Sequence, residues 1–129
     1  MVGVGREGFF RQLASSEQRV LRAVAPAQLQ DGPYDLIIMT APDSTEVRDE
    51  SALVELLAAA RQALERCGRI AIDYPNPHVR AAEILPPAER LDRLLAEAGL
   101  VIHERYGDFD RSPFTPQSPE IITIAGLPT

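Results

Sequence analysis

The chain reads as an α/β protein with a mainly parallel sheet and an antiparallel strand at its end. Short apolar runs such as LIIM and IAI, bounded by Asp, Pro or Gly, have the look of buried parallel strands. Between them lie stretches with apolar residues at helical spacing. From Tyr34 onward the order is strand, helix, strand, helix, strand, strand, which implies parallel pairing by crossover and then one antiparallel return.

The opening MVGVGREGFF contains G-V-G-R-E-G at 3–8, a literal match to the glycine pattern of a dinucleotide or cofactor loop. The following FFRQLASSEQRVLRAVAPAQL reads as a helix over 9–15 and a strand over 19–24. A wholly helical reading is compatible with its Ala and Arg content but would leave the opening VGV without a neighbouring strand. Residues 36–39 form the apolar heart of the next strand. A helix follows, with Asp43 or Ser44 able to cap it; Val47, Val54, Leu57, Ala60 and Leu64 make its stripe, Leu53 and Leu56 widen it, and Gly68 stops it. RIAIDYP is the second strand of this part, ended by Pro75 and Pro77. Pro86 and Pro87 sit at a helix entrance, Leu91, Leu94, Leu95 and Ala98 form its apolar face, and Gly99 ends it. LVIHERY and EIITIAG are the last strands, joined by the proline-rich GDFDRSPFTPQSP, an ordered surface connection.

With 129 residues and 45% hydrophobic composition, the chain suits one domain, 1–129. Its thirteen basic residues are all arginine, against nineteen acids, for a net charge of -6. That balance argues against nucleic acid or an anionic membrane as partner, because either calls for a concentrated basic face. Without lysine there is no Schiff-base chemistry and no Walker lysine. The single cysteine, Cys67, permits no intrachain disulfide and no CxxC metal knuckle, and it is expected where the long helix ends. No apolar run approaches the roughly 18 residues of a membrane span, and the amino terminus lacks a signal-peptide layout. A soluble, cytoplasmic protein is expected.

The runs PYDLIIM, ARQALERCGRIAIDYPNP and LLAEAGLVIHERYGDFDRSPFTPQSPEIITIAG, in this order, resemble the C-terminal part of the class I S-adenosylmethionine-dependent methyltransferases, especially those acting on small molecules. The likeness covers residues 33–126, and YGDFD followed by SPE is its most specific piece. It implies a reduced Rossmann-like methyltransferase sheet. In that family a glycine loop after the first strand lies beside the methionine part of the cofactor, an acid ending the second strand holds the ribose, and residues after the fourth strand line the reaction centre. Two registers fit the opening. In one, residues 2–4 are the first strand and Gly3, Gly5 and Gly8 the cofactor loop. In the preferred one, MVGVG resembles the second strand, the first strand is missing, and Gly5 stands where the ribose-binding acid would be. Glycine offers no carboxylate, so a charged contact to the ribose is lost. The cover between the fifth strand and the next helix is also short.

The expected function is accordingly a methyltransferase-like protein lacking a self-sufficient cofactor site, a non-catalytic binding or scaffold protein with no cofactor of its own. The alternatives are an S-adenosylmethionine-dependent O- or N-methyltransferase of small molecules whose site is completed by oligomerisation, and a repurposed small-molecule isomerase or cyclase. Sheet edges exposed by a missing strand point to a homodimer or larger assembly. Candidate residues lie at the carboxyl edge, where open parallel sheets place ligands. Asp73 could orient an amine or hydroxyl, or cap the strand end; His78 could exchange a proton near neutral pH, or be a solvent-exposed loop residue. Resemblance adds Thr40 to the lining of the reaction centre. Asp108 and Asp110 suit turn hydrogen bonds better than acid-base work, and His103 suits a strand surface. No metal site is expected.

Overall fold

A computed structural model describes residues 6–13, 20–22, 32–40, 50–76 and 87–128. In chain order these form α1 (Arg6–Leu13), β1 (Val20–Arg22), β2 (Tyr34–Thr40), α2 (Glu50–Gln62), β3 (Leu64–Pro75), α3 (Ala88–Glu97), β4 (Val101–Tyr106) and β5 (Glu120–Gly126). The strands make one sheet in the order β1-β2-β3-β5-β4. β1, β2 and β3 run parallel, while β5 lies antiparallel between β3 and β4. The reduced Rossmann-like α/β sheet expected from the sequence is present, with its last strand antiparallel. The helix-then-strand reading of residues 9–24 also agrees with α1 and β1.

Alternation along the strands builds two apolar layers. Ile37, Met39, Ile70, Ile72, Tyr74 and Ile121 pack against α2 and α3, through Leu53, Leu56, Leu57, Leu91, Leu94 and Leu95. Leu36, Ile38, Ala71, Ile122 and Ile124 face the other way and are covered by Phe9 and Phe10 of α1. Phe9 meets Phe10, Tyr106 and Phe109 edge-on, with ring centroids 5.5, 6.0 and 5.9 Å away.

Two details of the long helix differ from expectation. Its buried stripe is Leu53, Leu56, Leu57 and Ala60, whereas Val54 is 43% exposed. The helix also ends at Gln62, so Leu64 belongs to β3 and pairs with Tyr34 rather than extending the stripe. The Tyr34 N–H donates to the Ala63 carbonyl at 2.7 Å, which draws the chain into the sheet as soon as the helix stops. After Leu64 the strand makes an excursion and resumes its pairing at Arg69 opposite Leu36. Gly68 is needed on this excursion: a Cβ there would lie 2.8 Å from the Tyr34 carbonyl oxygen. Cys67 therefore sits on an exposed bend of β3, not at a helix end. Asp43 and Ser44 lie outside the described residues. Gly99, at φ 82°, ends α3 as expected. Among the described residues no helix is long and apolar enough to cross a membrane.

Candidate functional site

Because β2, β3 and β4 are mutually parallel, their carboxyl ends share one edge of the sheet, and β5 begins there. The register sets Thr40 beside Asp73, Asp73 beside Ile122, and Pro75 beside Glu120. Ile122 belongs to the α1-covered layer, so Asp73 opposite it and Glu120 two residues before it share that face. Both are buried, Asp73 at 0% and Glu120 at 6% exposure. Diagonal neighbours across an antiparallel pair are about 7–8 Å apart at Cα. Two carboxyl groups so placed can share a proton or face one cationic group together.

The neighbouring polar groups have structural work. Asn76 is fully buried; its Nδ2 donates to the Pro116 and Ser118 carbonyls at 3.1 and 2.9 Å, and its backbone N–H donates to Pro119 at 3.0 Å. Tyr74 points to the opposite layer, and burial holds its phenol above the ordinary tyrosine range, with the Arg105 cation acting against that rise. Arg105 donates from Nε to Thr123 Oγ1 at 2.8 Å, pairs with Asp92, and lies 5.7 Å from the Phe114 ring centroid. At the end of β4, Tyr106 donates its hydroxyl to Glu104, a bond that raises its pKa. The Arg111 guanidinium stands over the Phe9 and Tyr106 rings at 5.5 and 5.7 Å.

Of the residues expected from sequence, Asp73 and Thr40 are brought side by side by register. Gly8 is a half-buried residue of α1. Gly3, Gly5 and His78 lie outside the described residues. Asp108 and Asp110 make the turn bonds anticipated for them, accepting from Phe109 N–H at 2.8 Å and Ser112 N–H at 2.9 Å. The bonds from Ser112 also hold the Asp110 carboxyl below its usual range. His103 is exposed, at an irregularity in the β4 pairing. No group of three or more His, Cys, Asp or Glu among the described residues is arranged to hold a metal ion. Glu120 was not singled out from sequence. Strict alternation through EIITI places it on the Ile122 and Ile124 face, which was the available signal.

An adenosyl cofactor requires hydrogen-bond partners for its ribose and purine. At the end of β3, Asn76 has both amide hydrogens engaged by the protein's own carbonyls and Tyr74 faces the helical core.

No protein-family model and no curated protein matches the chain. Solved structures do. The methyltransferase CcbJ from Streptomyces caelestis is similar over 94% of this chain and 87% of its own, with a TM-score of 0.76 and 13% identity. A TehB-like S-adenosylmethionine-dependent methyltransferase from Corynebacterium glutamicum is similar over 93% of this chain and 85% of its own, with a TM-score of 0.74 and 14% identity. The glycopeptide N-methyltransferase MtfA is similar over 95% and 88%, with a TM-score of 0.69 and 10% identity. The chain carries the fold of the class I S-adenosylmethionine-dependent methyltransferases.

Proposed function

We propose that this chain is a methyltransferase-like protein without self-sufficient methyl transfer, acting as a binding or scaffold protein. One observation carries the reading: the polar end of β3 is tied into the protein's own structure. Asn76 donates both amide hydrogens to the 107–119 connection, and Tyr74 is packed between β3 and the helices, where burial raises its phenol pKa. The register in which MVGVG resembles the second strand, with Gly5 in the place of the ribose-binding carboxylate, supports the same view. Association into a homodimer belongs to this proposal, and sedimentation of the dilute protein as a folded monomer would count against it.

A second reading is favoured by the buried Asp73 and Glu120 on one face of the carboxyl edge, with Thr40 beside Asp73. In it the chain is an O- or N-methyltransferase of small molecules, its S-adenosylmethionine site completed by a second subunit. Asp73 would then orient an amine or hydroxyl acceptor. Incubation with methyl-labelled S-adenosylmethionine and a panel of amines, phenols and carboxylic acids separates the two. The scaffold reading expects label transfer no faster than without protein. Transfer that grows with protein concentration, and that Asp73→Asn abolishes, would replace it with the second.

A further inference from the structure

The connection between β4 and β5, residues 107–119, is fastened to three parts of the fold by different chemistry. Phe109 packs on the α1-covered layer, 5.9 Å from Phe9 and 6.5 Å from Phe10. Phe114 packs on the opposite layer, beside the Arg105 guanidinium. Beyond these two anchors in the chain, Asn76 holds the 116–119 stretch with three hydrogen bonds of 3.1, 2.9 and 3.0 Å. The segment thus straddles the sheet at its carboxyl edge.

Much of its other hydrogen bonding is internal. Gly107 N–H donates to Ser112, Arg111 N–H to Asp108, Ser118 N–H to Thr115, and Thr115 N–H to Ser118 Oγ. At its base, Glu120 N–H donates to the Gly107 carbonyl at 3.1 Å and holds the two ends together. A segment closed on itself in this way loses these bonds together, as one cooperative unit, when its fastenings break. Little of it is deeply buried: Asp110, Arg111, Pro113, Thr115, Pro116 and Gln117 are exposed. Its hold on the fold therefore rests mainly on the two half-buried rings, on Arg111 over the Phe9 and Tyr106 rings, on the bridge between Tyr106 and Pro113, and on Asn76.

We propose that residues 107–119 are a clasp that opens as one unit on the Gly107 and Glu120 base, with Asn76 as its latch. Opening uncovers the part of the carboxyl edge where Glu120 starts β5. This inference concerns access to that edge and stands whether the edge serves a ligand, a partner or a methyl acceptor.

Native-state hydrogen exchange on the full chain, at several low denaturant concentrations, tests it. The amides of Asn76, Gly107, Arg111 and Ser118 are expected to share one opening, at least about 10-fold less protected than Ile72 and Ile124 in the sheet. Asn76→Asp keeps the shape but removes both side-chain donors. Two ordinary hydrogen bonds correspond to about a 30-fold shift in the opening equilibrium, so the four amides should lose at least that much protection together while Ile72 and Ile124 lose none. Phe114→Ala, which weakens a different fastening, should loosen the same four amides, and it serves if Asn76→Asp does not fold. Exchange of these amides one by one, exchange with the sheet at the global rate, or a uniform loss in either variant would overturn the proposal.

Discussion

Replacing Arg105 by alanine removes three interactions from one side chain, and the structure sets their relative weights. The bond from Nε to Thr123 Oγ1, at 2.8 Å, matters most, because Thr123 is fully buried and its hydroxyl loses this donor. A buried group left short of a partner costs about 1–3 kcal/mol. The pair with Asp92 contributes less, since the carboxylate side chain is 48% exposed; such pairs are worth about 0–1 kcal/mol. The Phe114 contact, at 5.7 Å, adds about 0.5–1 kcal/mol. Arg105→Ala should therefore lower stability by about 1.5–5 kcal/mol, measured by urea unfolding followed by circular dichroism because the chain has no tryptophan. A double-mutant cycle with Thr123→Val isolates the hydrogen bond and should return a coupling of about 1–2 kcal/mol. An Arg105→Ala loss below about 0.5 kcal/mol, or zero coupling, would refute the assignment of Arg105 as the tie between β4, β5 and α3.

Gly107→Ala should cost about 1–3 kcal/mol in the same unfolding experiment, because a Cβ there would collide with Ser118 Oγ. Adding Ser118→Ala should not restore the loss, as the Ser118 Cβ remains 2.7 Å away. Leu57→Ala should cost about 2–5 kcal/mol and Val54→Ala under about 0.5, which checks where the buried stripe of α2 lies. The Tyr74 pKa is raised in the fold by burial, so the unfolded chain ionises first. Its stabilising contribution is whole below about pH 10 and is lost as pH rises beyond that, by up to about 1.4 kcal/mol per pH unit; Tyr74→Phe should flatten the alkaline loss by one group's share. Cys67 should be accessible to a thiol reagent in the folded protein, and strong protection would contradict the exposed bend in β3.

Most of the architecture could be read from local signals. The run LIIM bounded by Asp35 and Pro42 announced β2, Gly99 marked the end of α3, and the prolines of 107–119 announced an ordered connection. The boundary between α2 and β3 was not readable that way. Leu64 stands at a helical interval from Leu57 and Ala60, and what removes it from the helix is Tyr34, thirty positions earlier in the chain, whose pairing leaves no trace in local periodicity.

The candidate site was half legible for the same reason. Asp73 could be placed at the carboxyl edge because it precedes a proline stop on a central strand. Glu120 escaped notice because a charged residue opening a strand ordinarily faces water, and only the pairing with β3 shows it buried. The role of Asn76 left no local signal, because it depends on carbonyls 40 and 42 positions away.

The proposed scaffold reading stands on one expectation, that this chain alone does not hold an adenosyl cofactor at the end of its parallel strands. Calorimetric titration of the purified full chain with S-adenosylmethionine, and separately with S-adenosylhomocysteine, tests it most directly. No saturable heat is expected at ligand concentrations up to about 1 mM, the range in which binding free energy falls to about 4 kcal/mol. A one-to-one isotherm with micromolar or tighter affinity would contradict it.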